Sequence, residues 1–187
     1  MAEAARWSYH GTDHFRKARA AFLQSGKDRS DVVRLHIGCG EKRFRGYTNI
    51  DAYGGDVQGD VTKLSYAENS VDEIIGVHMF EHLYPHVAVE ALKHWYGILK
   101  PGGKLILEMP DLKKILEFFK DPKSSPQLTM QALYGGEHTG RIEDVHKFCW
   151  TFETIEPHLK AAGFSKIEER PALYHIPIRD FRVESQK

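Results

Sequence analysis

The chain has 187 residues, with 26 basic and 26 acidic side chains and a sequence pI near 7.2. This balance predicts no basic face of the kind that binds nucleic acid, so we do not expect a nucleic-acid substrate. No apolar run approaches the roughly 20 residues that span a bilayer, and the N-terminus has no signal-peptide pattern, so we expect no membrane association.

The cysteine count indicates the redox environment of the protein. Cys39 and Cys149 are the two cysteines of the chain, too few for a disulfide framework and typical of a reducing environment. We therefore expect a cytoplasmic protein. Because the length suits one domain and no internal repeat appears, residues 1–187 are expected to form a single domain.

The first half of the chain predicts one helix and four short strands. Thr12–Ser25 has apolar residues at helical spacing, so residues 1–30 are expected to form a helical cap that closes over a site or packs on the sheet edge. The strands are expected at Arg34–Ile37, at Thr48–Ile50, near Asp56–Val57 and at Glu73–Val77.

The second half alternates helices with strands. We predict helices at Ala88–Leu99, Asp111–Lys120 and Thr151–Ala161, and strands at Lys104–Met109, Lys166–Arg170 and Phe181–Val183. Between them, Asp121–Phe148 is polar and is expected to be irregular. This alternation predicts an α/β fold with a mostly parallel sheet, in which ligands bind at the carboxyl ends of the strands.

The segment LHIGCGEKRFRGYTNID, Leu35 to Asp51, places a glycine turn directly after the first strand. A dinucleotide site would need a third glycine where Arg43 stands, and a crossover helix where only about eight residues separate Gly40 from Asn49. The alternative ligand is an adenosine without phosphate, whose ribose hydroxyls would donate to Asp51. A turn-capping role for Asp51 stays open.

Three later segments, GDVTKL, ENSVDEIIGVHMFEHL and ILKPGGKLILEMPDL, follow this turn in a characteristic order. Together with IGCG and GYTNID they resemble class I S-adenosylmethionine-dependent methyltransferases over residues 34–170. They are most similar to short methyltransferases often associated with bacterial surface-polysaccharide or small-metabolite pathways. The resemblance implies a Rossmann-like sheet, mostly parallel with an antiparallel last strand, and with shortened first crossovers.

The resemblance also implies S-adenosylmethionine as the cofactor, and it assigns residues to each part of that molecule. Gly38 and Gly40 would lie at the methionyl backbone, Asp51 on the ribose, Asp60 and Val61 at the adenine edge, and His78 at the start of the loop beneath the sulfonium. Cys39 and Ala52 are also expected to contact the cofactor, with a packed thiol as the other interpretation of Cys39.

Methyl transfer from a sulfonium is an in-line displacement that mainly needs positioning, and a base is required only when the acceptor keeps its proton. His78, Glu81 and His82 in VHMFEHL follow the fourth strand, and we name them with His146 as candidate catalytic residues. One interpretation is a histidine base oriented by Glu81; another is structural hydrogen bonding. A third is a metal site, since the pattern resembles the ExxEH cluster of ubiquinone-pathway and small-RNA methyltransferases.

A second polar segment, Tyr134–Phe148, follows the fifth strand, and residues 121–150 are expected to form a loop insertion on the substrate side. Its candidate groups are Glu137, His138, Arg141, Asp144 and His146. A solvated surface loop is the alternative. The basic run Lys42–Arg45 is expected to be a solvated turn, with anion binding as the other interpretation.

The sequence thus predicts a methyltransferase that acts on a small-molecule or sugar-linked acceptor, most plausibly at oxygen. N-methylation of a small amine, 2′-O-methylation of nucleic acid and a non-catalytic partner subunit are the alternatives. The acid at position 51 argues against the last of these. The acceptor and the oligomeric state stay open.

Overall fold

The computed structural model describes residues 31–121, 124–136 and 140–187. The helix expected at Thr12–Ser25 and the cap of residues 1–30 lie outside these ranges. So do Glu137 and His138 of the second polar segment.

A seven-stranded sheet forms the centre of the fold, in the order β3-β2-β1-β4-β5-β7-β6. Its strands are β1 Arg34–Ile37, β2 Thr48–Asp51, β3 Val57–Gln58, β4 Val71–Val77, β5 Leu99–Pro110, β6 Ser165–Pro171 and β7 Asp180–Gln186. The first five strands pair in parallel, whereas β7 runs antiparallel to both of its neighbours. The α/β fold and the antiparallel last strand are therefore confirmed.

In the part of the chain that the structure describes, four α-helices lie between the strands: α1 Pro85–Ile98, α2 Leu112–Lys120, α3 Pro126–Tyr134 and α4 Phe152–Ala162. The Asp111 side chain caps α2 by accepting from the Lys113 amide at 2.9 Å, which stabilises the helix start after β5. Helix α1 begins about one turn earlier than predicted because Pro85 suits the first helical turn. No described helix is both long and apolar enough to cross a bilayer.

The prediction that Asp121–Phe148 is irregular was wrong for its middle part, which forms α3. Pro126 begins this helix, and the residues that it buries include Thr129 and Ala132. Small and polar residues on the buried face give a weak apolar period, which is why the pattern did not indicate a helix.

The larger part of the core packs between the sheet and the helices α1 and α4, with Trp95 and Leu159 fully buried. A smaller cluster on the opposite face contains Phe44 and Tyr174. Residues 38–47 connect β1 to β2 through turns with no helix, as the shortened crossover predicted. This short connection brings the end of β1 close to the end of β2.

Candidate active site

The carboxyl ends of β1, β2 and β4 meet at one edge of the sheet. Gly38 follows β1, Asp51 ends β2 and His78 follows β4. Because β7 runs in the opposite direction, its first residue, Asp180, pairs with Pro110 at the end of β5 and lies at the same edge. This edge brings together residues from both ends of the described chain.

Hydrogen bonds from two backbone amides hold the Asp51 carboxylate beside the glycine turn. The Gly40 amide donates to Asp51 Oδ2 at 2.9 Å, and the Tyr53 amide donates to Asp51 Oδ1 at 2.9 Å. Since each carboxylate oxygen can accept more than one hydrogen bond, Asp51 keeps capacity for a further donor. The turn after β1 is thereby fixed against the end of β2.

Gly38 and Gly40 both have a positive φ, of 61° and 52°, but they need glycine for different reasons. A Cβ at Gly38 would lie 2.1 Å from the Met79 Cγ, so the absence of a side chain there serves packing. A Cβ at Gly40 would meet nothing within 4 Å. Gly40 therefore leaves open space at the mouth of a cleft.

That space belongs to the glycine-side cleft, a depression of about 710 Å³ lined by Gly38, Gly40, Asp51, Asp60 and His78. Ala52 and Val61 line it as well. Of the residues predicted to contact the cofactor, Cys39 alone does not line this cleft. Cys39 is 4% exposed and lies within 3.4 Å of the Arg43 guanidinium, so it packs inside the turn.

His78 is held between two carboxylates at the end of β4. Its Nδ1 lies 3.0 Å from Glu81 Oε1, and its Nε2 lies 2.9 Å from Asp180 Oδ2. Burial alone would lower the pKa of His78, but the Glu81 charge and the Asp180 hydrogen bond outweigh it and raise the pKa to about 9. The backbone of His78 has a φ of 52°, a conformation that few residues other than glycine adopt.

Asp180 was not predicted as a site residue, yet it is fully buried and bound on several sides. Besides His78, it accepts hydrogen bonds from the Ile176 amide at 3.0 Å and the Arg179 Nε at 2.7 Å, and it lies 2.8 Å from His175 Nδ1. Burial would raise the pKa of Asp180, but these donors hold it well below its usual range. Asp180 therefore stays ionised beside the protonated His78.

Glu108 is a second buried acid that the sequence analysis missed. Its side chain accepts from the backbone amides of Leu173, Tyr174 and His175, at distances from 2.6 to 3.1 Å. These bonds fix the loop between β6 and β7, and they place the His175 ring 4.1 Å from the His78 ring. A glutamate within the otherwise apolar strand ILEM is the sequence signal that could have found it.

Glu81, His82 and His146 meet on the other side of His78, as the sequence predicted for a common cluster. Glu81 is 1% exposed, and its Oε1 lies 3.9 Å from His146 Nε2. The rings of His82 and His146 pack edge to face with centroids 4.8 Å apart. Backbone amides of Lys147 and Phe148 donate to the Glu81 carbonyl, which fixes the second polar segment to this turn.

These histidines line the histidine-side cleft, a second depression of about 800 Å³ that adjoins the first. His78, His82, His146, His175 and Arg179 line it, together with Arg141 and Asp144 of the second polar segment. The basic run contributes Lys42 to this cleft. By contrast, Arg43 of the same run donates to the Gly40 carbonyl at 2.7 Å and supports the turn.

A small apolar pocket of about 230 Å³ continues from the histidine-side cleft. Ile115 and Phe118 of α2, Ala132 of α3, and Ile176 and Ile178 after β6 line it. Gln131 and Arg179 line both cavities, so the polar cleft and the apolar pocket share a boundary.

Comparison with known proteins agrees with this geometry. Residues 41–107 match a family described as methyltransferase domain. Highly reducing polyketide synthases of Aspergillus sclerotiorum and Aspergillus nomiae are 31% and 30% identical to this chain over 80 residues, which is 43% of the chain. The matched stretch covers only 3% of the length of each synthase.

Two solved structures extend the likeness to almost the whole chain. A SAM-dependent methyltransferase of Thermotoga maritima, described as a possible histamine N-methyltransferase, has a TM-score of 0.61 at 18% identity and covers 92% of this chain and 91% of its own. The Burkholderia thailandensis 1,6-didemethyltoxoflavin-N1-methyltransferase, with bound 1,6-didemethyltoxoflavin and S-adenosylhomocysteine, has a TM-score of 0.59 at 17% identity and covers 92% and 77%. Residues 41–107 thus match a methyltransferase domain, and the described chain shares the fold of solved S-adenosylmethionine-dependent methyltransferases.

Proposed function

We propose that this protein transfers the methyl group of S-adenosylmethionine to a hydroxyl group of a small molecule. The observation that carries the proposal is the shared boundary of the two clefts, which Gly38, Gly40 and Asp51 line together with His78 and His82. A methyl donor in one cleft and an acceptor in the other would meet at this boundary, which is the arrangement that an in-line transfer needs.

In this proposal the cofactor occupies the glycine-side cleft. The open space beside Gly40 admits the methionyl group, and Asp51 accepts from the ribose hydroxyls with the oxygen capacity that its two amide donors leave. Asp60 and Val61 would contact the adenine at the far side of the cleft. His78, at the other end, would lie near the sulfonium.

The acceptor occupies the histidine-side cleft and extends its apolar part into the pocket between α2 and α3. The shared boundary at Gln131 and Arg179 supports this, because one molecule can fill both cavities. An acceptor of this kind has a polar end beside His82 and His146 and an apolar end beside Ile115 and Phe118. This favours a small amphipathic molecule over a nucleic acid, and we propose the cytoplasm as its location because both thiols are free.

The acceptor hydroxyl must lose its proton as the methyl group arrives. His78 is a poor base because its pKa of about 9 keeps it protonated at neutral pH. We assign the proton to the neighbouring cluster of Glu81, His82 and His146, which lies on the acceptor side of His78.

N-methylation of a small amine is the second candidate. It is favoured by the names of the two structurally similar proteins, which both describe N-methyltransferases. An amine with a low pKa would need no base, so the histidine cluster would then serve only to position it.

Calorimetric titration of the purified protein with S-adenosylhomocysteine is the first test, followed by transfer of a labelled methyl group to matched hydroxyl and amine acceptors. Saturable binding and labelling of hydroxyl acceptors would support the proposal. Labelling of amines alone would favour the second candidate. Binding without turnover on any acceptor would favour a non-catalytic partner subunit, and absence of binding would contradict both proposals.

A further inference from the structure

We propose that Glu81, His82 and His146 form a binding site for one divalent transition-metal ion at the acceptor side of the candidate active site. One ligand atom from each residue lies within 4.8 Å of the others. Two imidazoles and one carboxylate are a set of ligands that suits first-row divalent ions such as Fe²⁺, Co²⁺ and Zn²⁺.

The buried Glu81 carboxylate is the first observation that points to a cation. Its side chain is 1% exposed, and its Oε2 is buried without a hydrogen-bond partner among the described residues. Its nearest charged neighbour is His78, whose Nδ1 lies 3.0 Å from Oε1, and this contact leaves Oε2 buried without a partner. Buried carboxylate oxygens almost always have partners, so an unpartnered one calls for an ion or another donor.

The orientation of the His146 ring is the second observation. Its Nδ1 lies 3.1 Å from the Ala132 carbonyl, which can only accept, so Nδ1 carries the proton and donates. In the neutral ring, Nε2 then has a free lone pair, and this atom faces Glu81 at 3.9 Å. A backbone carbonyl that fixes the ring of a histidine in this way is typical of metal ligands.

His82 completes the set. Its Nδ1 is buried and has no hydrogen-bond partner among the described residues, although the ring lies beside His146. Both rings also line the histidine-side cleft, so an ion held between them could accept a further ligand from that cleft.

A second group of residues, His78, His175 and Asp180, also has ligand atoms close together. Its contacts argue against a metal, because Asp180 already accepts from His78, Arg179 and the Ile176 amide and lies 2.8 Å from His175 Nδ1. The Arg179 guanidinium also lies 2.8 Å from His175 Nδ1, so it already occupies one of the ligand atoms of this group. One cluster is therefore saturated by protein donors, whereas the other has unused lone pairs.

The role of the ion rests on the proposed function, although binding of the ion does not. An acceptor oxygen that coordinates a divalent cation loses its proton more readily. The ion would thus lower the pKa of the acceptor hydroxyl beside the cofactor, and the proton released as the methyl group arrives would pass to water in the open histidine-side cleft. In the metal-bound form the two histidines would act as ligands and would not be the base assigned above.

Titration of the chelator-treated full chain with Co²⁺ tests the site directly, because Co²⁺ bound to nitrogen and oxygen ligands absorbs visible light. We expect binding of one ion and a rise in the unfolding temperature that depends on the Co²⁺ concentration. Glu81→Gln and His146→Ala should each weaken Co²⁺ binding at least about 10-fold, since changes outside the ligand shell alone cost this much.

Two variants serve as matched controls. His175→Ala removes a ligand atom from the other cluster, and His86→Ala removes an exposed histidine. Both should keep the Co²⁺ affinity of the unaltered protein. Circular dichroism would establish that each variant is folded, and Glu81→Gln keeps the size of the side chain in case His146→Ala does not fold.

The outcomes separate this inference from the proposed function. Binding of S-adenosylhomocysteine without binding of Co²⁺ would overturn the metal site and leave the methyltransferase proposal intact. Binding of Co²⁺ that depends on Glu81 and His146, without binding of S-adenosylhomocysteine, would do the reverse. Loss of Co²⁺ binding in His175→Ala but not in Glu81→Gln would assign the ion to the other cluster and overturn the inference.

Discussion

The two sides of the candidate active site are held together by contacts of very different length along the chain. On the glycine side, the Gly40 amide and the Asp51 carboxylate are 11 positions apart. On the histidine side, His78 and Asp180 are 102 positions apart, and His175 and Glu108 are 67 apart. The glycine side is therefore a local structure, whereas the histidine side forms only when β7 has joined the sheet.

This difference separates two kinds of contribution to stability. The glycine side uses backbone amides and an Asp51 carboxylate that is partly exposed, so its bonds compete with water. The histidine side uses charges that are buried in pairs, with Asp180 fully inaccessible to solvent. Removal of a single partner there leaves an uncompensated buried charge, so this side should respond more strongly to substitution.

The largest effect is expected for Asp180→Ala. The substitution leaves the His78 and Arg179 cations without their shared carboxylate, and we expect a loss of about 3–5 kcal/mol in the free energy of unfolding. Urea denaturation followed by circular dichroism would measure it. Glu90→Gln, which breaks the exposed pair with Lys93, is the matched control and should change stability by no more than about 0.5 kcal/mol. Equal losses in the two variants would contradict the proposed difference between buried and exposed pairs.

Most of the sheet could be predicted from the sequence because its strands are short apolar runs bounded by turn residues. Arg34–Ile37 was predicted with the bounds that the structure has. Helix α3 was not predicted, because Thr129 and Ala132, two of the residues that it buries, are too small to give a clear apolar period. Sequence patterns detect large apolar residues that recur at helical spacing, so they miss a helix that packs through small side chains.

For the site, prediction was limited by the distance along the chain between residues that come together in the fold. His78, Glu81, His82 and His146 were predicted as a group, and the structure brings them together. Asp180 and His175 were missed although the antiparallel last strand was predicted. An antiparallel strand begins at the edge where its parallel neighbours end, so the residues before Phe181 could have been placed at the site from topology alone.

Asp51→Asn tests the glycine side of the site, whose contacts join residues that are close in the sequence. Loss of the charge weakens the hydrogen bond to the ribose that we propose, and we expect a loss of about 1.5–3 kcal/mol, or about 10-fold to 150-fold, in S-adenosylhomocysteine affinity. Calorimetric titration would measure it, with the free energy of unfolding as a check on the fold. An unchanged affinity would rule out the ribose contact and leave Asp51 as a turn-capping residue.

Gly38→Ala and Gly40→Ala should separate packing from ligand access within one turn. Both alter a residue with positive φ, but only the Cβ at position 38 collides with Met79, so Gly38→Ala should lose more stability, at least about 2 kcal/mol against about 1 kcal/mol. Gly40→Ala should instead lose about 10-fold or more in S-adenosylhomocysteine affinity, because the new methyl group enters the cleft. Thermal unfolding should show the larger loss of stability in Gly38→Ala, and calorimetry should show the larger loss of affinity in Gly40→Ala. Equal losses of stability and affinity in the two variants would contradict this prediction.

The smallest effect concerns the contact that joins the two sides. The Arg141 guanidinium of the acceptor side lies 4.5 Å from the centre of the Tyr53 ring, which lines the glycine-side cleft. A double-mutant cycle with Tyr53→Ala and Arg141→Ala should give a coupling of about 0.5–1 kcal/mol in the free energy of unfolding, the usual value for a cation over an exposed ring. Arg141→Lys keeps the charge and should retain part of this coupling. Because the residues that follow Arg141 also line the glycine-side cleft, both alanine variants should release S-adenosylhomocysteine faster by about 2-fold to 5-fold, as stopped-flow displacement would show. A coupling near zero with unchanged release would contradict the prediction and mean that this surface contact contributes nothing to joining the two sides.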